Sequence, residues 1–369
     1  MVIKRVRLAN VFFICLIVSL SLIGYLYFNK RNKPILQQTP PPSPSPNIEI
    51  IAKNLEVPWA LAFLPDNTML MTERAGRLGK ITTEGKLQIL HTINEVKPIG
   101  EGGLHGIAAD PDFKSNHYIY VYYTYGQSGN KPSDYFASQN QTLNRVVRYK
   151  LEQDTISEQT IIVDKIPGAM FHDGGRLKFG PDKLLYITTG DAQQPSLAQD
   201  PNSLAGKILR VKDSKADVYS LGHRNPQGIT WDDKDRLWET EHGQSATDEI
   251  NLIEQNKNYG WPIIRGDQKQ TGLEPPILQS GSQTWAPAGA AFYQGSIYFG
   301  GLKGQTLYQL KLATMELKEH FKGQFGRIRD VVLGPDNMLY ITTSNRDGRG
   351  SPTPDDDQII RLNPHLLSY

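Results

Sequence analysis

A strand-turn-strand unit returns along this chain from residue 48 onward, and its recurrence limits the possible folds more than any other feature. Each copy opens on a Pro-Asp type turn and continues into a short strand of β-branched and aromatic residues. Pro65-Asp66 precedes Met69-Leu70-Met71-Thr72, and Pro111-Asp112 precedes the tyrosine-rich run from Tyr118 to Tyr123. Pro181-Asp182 leads into Leu185-Tyr186-Ile187-Thr188, and Asp233-Lys234-Asp235 into Leu237-Trp238-Glu239. Pro335-Asp336 leads into Leu339-Tyr340-Ile341-Thr342, and a degenerate copy sets Gln294-Gly295 before Ile297-Tyr298-Phe299. Proline presets the turn dihedral and aspartate bonds the backbone two residues on, so these turns have a mechanism. Six copies at a spacing of roughly 45–60 residues match the blade length of a β-propeller. A β-sandwich uses similar turns but does not demand this period. The expected fold is therefore all-β, a six-bladed β-propeller whose top loops and central channel carry the function.

Composition excludes several classes. A net charge of +2 over 369 residues, with no Lys/Arg cluster in the folded part, gives no argument for a nucleic-acid partner. The single cysteine, Cys15, rules out a disulfide framework and a cysteine-based metal cluster. Cys15 lies in an apolar stretch, residues 9–28, long enough to span a bilayer and lacking a small-x-small cleavage signature. Residues 1–29 therefore read as an N-terminal membrane anchor or a signal segment. Pro34, Pro40, Pro41, Pro42, Pro44 and Pro46 make residues 30–47 a stiff extended linker. Residues 48–369 are the propeller, held off a membrane or secreted, on the periplasmic or extracellular side.

Within the propeller, Phe171-His172-Asp173-Gly174-Gly175-Arg176 stands out. A lone histidine is more often structural than catalytic. Two following glycines mark a turn that another backbone or a ligand approaches closely. Asp191 could fix the His172 tautomer, or serve only as a turn residue after Gly190. Arg224-Asn225 lie in a segment too polar for a strand interior. Arg327 and Arg329 flank one isoleucine, so an extended strand points both to one face. Two cations on one face need an anionic ligand or carboxylates opposite them. Glu241-His242-Gly243-Gln244 with Asp248-Glu249 is an acidic, glycine-containing loop of the kind hard cations use, though such loops are commonly just solvated.

Together these motifs carry a resemblance. Gly100-Glu101-Gly102-Gly103-Leu104-His105-Gly106, His172-Asp173-Gly174-Gly175-Arg176, Gly222-His223-Arg224-Asn225-Pro226-Gln227-Gly228, Asn258-Tyr259-Gly260-Trp261-Pro262 and Gly326-Arg327-Ile328-Arg329-Asp330 occur in the order found in soluble quinoprotein sugar dehydrogenases. The resemblance covers residues 55–362. It implies a pyrroloquinoline quinone (PQQ) and Ca2+-dependent oxidation of aldoses at the anomeric carbon to lactones. On that reading His172 is the base, Asp191 its orienter and Arg224 the oxyanion stabiliser. Glu101, Asn225, Thr284, Lys303, Arg327 and Arg329 are the cofactor contacts. The carbonyls of Gly243 and Gln244 hold the quinone-clamping calcium, and Glu249 and Tyr259 belong to a second, structural calcium.

Two positions depart from the glucose-oxidising members, which have glutamine at Glu101 and a sugar-binding aspartate at Phe171. The resemblance therefore implies a broad aldose range rather than glucose preference. The implied partners are an aldose, an unnamed electron acceptor and the membrane, with a homodimer left open. Two other classes stay on the table: a non-enzymatic ligand-binding propeller ectodomain, and a calcium-dependent propeller lactonase. Survival of the base, both arginines and the lysine favours the enzyme over the first. A calcium motif built on backbone carbonyls favours it over the second.

Overall fold

Six four-stranded antiparallel sheets build the molecule in this computed structural model, which describes residues 48–126, 142–213 and 215–367. The first blade runs from its innermost strand outward as β2 (Pro58–Phe63), β3 (Met69–Glu73), β4 (Arg77–Ile81) and β5 (Leu87–Thr92). The innermost strands of the next four blades are β6 (Leu104–Ala109), β10 (Leu177–Phe179), β14 (Pro226–Trp231) and β18 (Pro287–Tyr293). The last blade combines β22 (Ile328–Leu333), β23 (Leu339–Thr343) and β24 (Ile359–Leu362) with β1 (Ile48–Ala52) from the other end of the propeller. β1 is the outermost strand there, paired with β24 from Ile48↔Leu362 to Ala52↔Ile359. That closure joins the first and last blades by backbone hydrogen bonds and leaves no open end to the ring.

The recurrent turns work as expected, with two shifts. In the second blade Asp110, not Asp112, accepts the amide two residues on at 2.9 Å and the Tyr120 hydroxyl at 3.1 Å. Asp66, Asp182 and Asp336 each accept a hydrogen bond from the amide two residues on, at 2.9, 3.1 and 3.3 Å. The second carboxylate oxygen then takes an aromatic donor from the following strand: Tyr186 to Asp182 at 3.0 Å and Tyr340 to Asp336 at 3.1 Å. In the fourth blade the working carboxylate is Asp232, not Asp233. It accepts from the Lys234 amide and from Trp238 Nε1, both at 2.9 Å. The degenerate copy turns in two residues because Gln294 (φ 43°) and Gly295 (φ 78°) both adopt left-handed dihedrals, the hairpin geometry that replaces the longer Pro-Asp turn.

There is no common core at the centre. Apolar side chains pack instead in six clusters, each between neighbouring blades: Leu70, Leu104, Ile119 and Val147 join the first two, and Leu61, Met71, Tyr340 and Ile359 join the first to the last. Each fully buried aliphatic side chain of this kind contributes about 1.5–3 kcal/mol. Stability thus comes from blade-to-blade contacts, and the axis is free to hold polar groups. The apolar segment 9–28 and the proline-rich linker lie outside the described residues. Among the described residues, no helix is long and apolar enough to cross a membrane.

The turn chemistry makes a graded prediction. Asp336 binds the Met338 amide, Tyr340 and Arg361, the last at 2.7 Å, whereas the side chain of Asp66 holds only the Thr68 amide. Calorimetry should find a drop of about 2–4 °C or more in thermal midpoint for Asp336→Ala. Asp66→Ala should drop less, and equal losses would remove the aromatic and arginine contacts from the account.

Candidate active site at one end of the axis

The polar residues singled out by sequence lie just before the innermost strands or just after their neighbours. Glu101 precedes β6, His172 precedes β10, Arg224-Asn225 precede β14, and Arg327 precedes β22. Asp191 follows β11 (Leu185–Thr189), and Gly243-Gln244 follow β15 (Leu237–Glu241). Every innermost strand begins at the same end of the ring, so residues far apart in sequence are brought to one end of the channel.

His172 has a left-handed backbone (φ 66°), unusual for a residue with a β-carbon. Gly190 packs against it so closely that a Cβ there would lie 1.8 Å from the His172 carbonyl oxygen. At Gly174 (φ 63°) a Cβ would come within 2.7 Å of the Gly190 nitrogen, which is the close backbone approach that two consecutive glycines suggested. The His172 amide donates to Glu101 Oε2 at 3.1 Å, and its Nδ1 lies 2.7 Å from Asp191 Oδ1. Asp191 is fully buried and serves both roles considered for it: it also accepts the Gln193 amide at 2.9 Å and Trp261 Nε1 at 2.8 Å. With Nδ1–H bonded to that carboxylate, the lone pair of the imidazole sits on Nε2.

Arg224 donates through Nη1 to the His242 carbonyl at 3.1 Å, and its amide donates to Glu241 at 2.8 Å. The Asn225 amide oxygen accepts the Gly174 N–H at 3.1 Å, tying β14 to the His172 loop. Arg327 and Arg329 do face one carboxylate, Asp347: Arg327 Nη2 at 2.8 Å and Arg329 Nη2 at 3.8 Å. Burial lowers Arg329 to about 9, with Asp347 opposing and Arg327 adding to the shift. Burial likewise pulls His242 down to about 4. Glu101 moves the other way. Burial opposes its ionisation, but His242, the 2.7 Å bond from Arg349 and the His172 amide hold it down at about 2.

Several buried polar atoms here have no partner: Arg224 Nε, Asn225 Nδ2, His242 Nε2 and Arg329 Nε. Unpaired buried donors are costly in a finished protein, so this end of the axis is built for a ligand that accepts hydrogen bonds. Arginine-rich surroundings suit one with several carboxylates, which is the chemistry of a tricarboxylate quinone. The residues fit that group.

The peripheral assignments divide. Lys303 is exposed and follows Leu302, whose carbonyl accepts Arg327 Nη1 at 3.1 Å, so it stands at the edge of the arginine cluster. Thr284 hydrogen-bonds the Ser245 carbonyl at 2.9 Å, and so is tied to the Gly243-Gln244 loop. Among the described residues neither the Gly243 nor the Gln244 carbonyl accepts a hydrogen bond, as a metal-facing carbonyl requires. The Tyr259 hydroxyl is committed, donating to Leu252 at 2.6 Å and accepting the Glu254 amide at 2.8 Å. Only the main chain of Tyr259 remains to meet a cation.

Of the acids gathered around Glu249, the sequence pattern had marked Glu241 and Glu249 but not Glu239. Glu239 and Glu241 lie two apart on β15 and so share a face, with Glu249 paired opposite Glu241. One amide, Asn251 Nδ2, serves all three carboxylates at 3.0, 3.3 and 3.4 Å. Burial, reinforced by Glu241, pushes Glu249 up to about 8 and Glu239 well above the usual carboxylate range. His223, Glu239 and Glu241 place ligand atoms within 4.8 Å of one another. A hard divalent cation would relieve this repulsion, so the three carboxylates, though not the His223 nitrogen, fit calcium. Also missed were Trp261, Asp347 and Arg349. Alternation of Glu239 and Glu241 was a visible signal for the acids; nothing in the pattern marked Asp347 or Arg349.

A sequence model of the glucose/sorbosone dehydrogenase family matches residues 55–360. The chain belongs to that family, and it is an oxidoreductase. An aldose sugar dehydrogenase of Escherichia coli (strain K12) is 31% identical, across 82% of this chain and 91% of its own. Quinoprotein glucose dehydrogenase B of Acinetobacter calcoaceticus is 33% identical across 61% of this chain and 54% of its own. The PQQ-bound structure of an aldose sugar dehydrogenase from Streptomyces coelicolor superposes with a TM-score of 0.77 at 34% identity, covering 85% of this chain and 97% of that one.

The acidic cluster predicts a metal effect. Calcium should raise the thermal midpoint of the purified protein, by about 3 kcal/mol of stabilisation at a hundredfold excess over Kd. Glu241→Gln should lose most of that rise. An equal rise in wild type and variant would move the calcium elsewhere.

Proposed function

We propose that this sugar dehydrogenase oxidises aldoses at the anomeric carbon to the corresponding lactones, using PQQ and calcium. The observation that carries the reading is the His172–Asp191–Trp261 chain beside buried, unpartnered arginine and asparagine donors. Its family and the PQQ-bound relative support the cofactor class.

PQQ, when bound, supplies the acceptor for the hydride leaving the anomeric carbon. His172 Nε2 takes the proton of the anomeric hydroxyl, and Asp191 stabilises the imidazolium that results. Trp261 holds the second oxygen of Asp191, so the carboxylate cannot rotate away from the imidazole. Arg224 Nε and Asn225 Nδ2, buried without partners, would donate to a quinone oxygen and supply positive charge beside it. Arg327 and Arg329 would hold cofactor carboxylates, with Lys303 at the rim and Thr284 supporting the calcium loop. Gly243 and Gln244 would offer carbonyls to one calcium; Glu249 and the Tyr259 main chain, with Glu239 and Glu241, would hold the second.

At the mouth, Glu101 is neutralised by Arg349, whose guanidinium carbon lies 5.2 Å from the Phe171 ring centre. An ion pair and an aromatic ring in place of an aspartate leave fewer sugar-specific contacts, which favours a broad aldose range. Residues 1–29 and 30–47 would anchor or export the propeller, residues 48–369, so that oxidation occurs on the periplasmic or extracellular side. Electrons would pass on to a separate acceptor.

Dye reduction by the purified protein with a panel of aldoses should require both PQQ and calcium. No activity together with no retained quinone would favour a binding ectodomain. His172→Ala should cost about 100-fold or more in turnover while sparing quinone affinity. Arg327→Ala should instead weaken quinone binding by about tenfold or more. The opposite pattern would reverse the two assignments.

A further inference from the structure

The far end of the central channel holds a second cavity, remote from His172 and of different character. It measures about 230 Å³ and is lined by the closing residues of the innermost strands. That is room for about eight waters at liquid density, or for a small organic molecule. Phe63, Ile107, Phe179 and Val331 supply apolar walls, and three charged residues, Arg176, Lys178 and Asp330, line it as well.

Two of those charges cancel. Asp330 Oδ1 accepts Arg176 Nη1 at 3.0 Å and the Val331 amide at 3.0 Å, while Oδ2 accepts the Leu61 amide at 3.0 Å. Its acceptor capacity is spent on holding β22, β2 and Arg176 together. Arg176 also donates Nε to the Gln227 carbonyl at 2.9 Å and lies 4.3 Å over the Trp59 ring. Its Nη2 is buried without a partner.

Lys178 is different. Its ammonium has only two distant contacts, the Ile229 carbonyl at 3.5 Å and Thr230 Oγ1 at 3.4 Å. No carboxylate is bonded to it, so the cavity contains one cation without a counter-charge. A charge in apolar surroundings is favourable only when something of opposite sign accompanies it. We propose that this cavity is a binding site for a small organic monoanion, a carboxylate with an apolar body, that pairs with Lys178 and fills the space between the aromatic walls. The polyhydroxy sugars and sugar acids of the other end do not match these walls, so the site is separate in chemistry as well as in place.

A pH dependence follows. Burial, aided by Arg176 and opposed by Asp330, lowers the Lys178 amine to about 8. These two are the charged groups that act on it. Binding of an anion should therefore be full at pH 7 and fade as pH rises through about 8, when the amine loses its proton.

Calorimetric titration of benzoate into the full-length protein, with no quinone or sugar present, tests this independently of the dehydrogenase reading. Wild type should bind saturably at one site at pH 7, and Lys178→Met should bind about tenfold or more weakly. Benzamide, the neutral isostere, should not bind. Equal benzoate affinity in Lys178→Met, equal binding of benzamide, or no saturable binding would each overturn the proposal. Should Lys178→Met fail to fold, reductive 13C-methylation gives a second reading. The lysine resonance that disappears in Lys178→Arg should shift on benzoate addition to wild type; an unmoved resonance would also overturn it.

Discussion

Pairing of β1 with β24 is the contact on which the rest of the molecule depends. The blades share no common core; each packs its apolar side chains against its neighbours through its own seam. Remove the closing strand and the first and last blades lose the backbone ladder that joins them. Contacts across the axis require the ring to be shut. Asp330, from the last blade, accepts the Leu61 amide of the first and the Arg176 guanidinium of the third. Arg349 reaches from the last blade to Glu101, and Glu101 in turn holds the His172 amide. The candidate base is thus held partly by a residue that follows it by most of the chain's remaining length.

Because the apolar seams lie between blades, the axis is free to collect charge, and its two ends do so differently. At the His172 end, arginines outnumber their immediate acid partners and several donors face no acceptor. Asp347 alone spans Arg327 and Arg329. An acid in that position keeps two buried guanidiniums compatible with folding until a polyanionic cofactor joins them. Beside this region the imbalance is reversed, with Glu239, Glu241 and Glu249 sharing one amide. The cation-rich region and the carboxylate cluster adjoin directly, since the Arg224 amide donates to Glu241 at 2.8 Å. The far end carries the lone amine of Lys178 in an apolar vestibule.

Much of this was legible in the sequence because blades repeat. The Pro-Asp turns marked the strand entries, and Arg327 and Arg329 at alternate positions marked a shared face. The paired glycines after His172 marked the close approach of Gly190. Where the reading slipped, the reason was local: Asp110 rather than Asp112 and Asp232 rather than Asp233 cap their turns, since either aspartate of each pair satisfies the pattern and only the geometry selects one. Asp347 meets Arg327 and Arg329 within the last blade, whereas Arg349 reaches Glu101 and Trp261 reaches Asp191 from different blades. Their partners are set by the circular arrangement of the ring, which no linear spacing encodes. Glu241 stood in the acidic loop, but Glu239 read as an ordinary strand residue, because its burial depends on β16 (Glu249–Ile253) lying alongside.

Cleavage of a sugar's anomeric C–H bond at this end of the axis is the step on which the proposed function turns. Rapid mixing of the PQQ- and calcium-loaded protein with an aldose carrying hydrogen or deuterium at that carbon tests it directly. Quinone absorbance should change more slowly with the deuterated sugar. Equal rates with both sugars, or no change in the quinone, would contradict it.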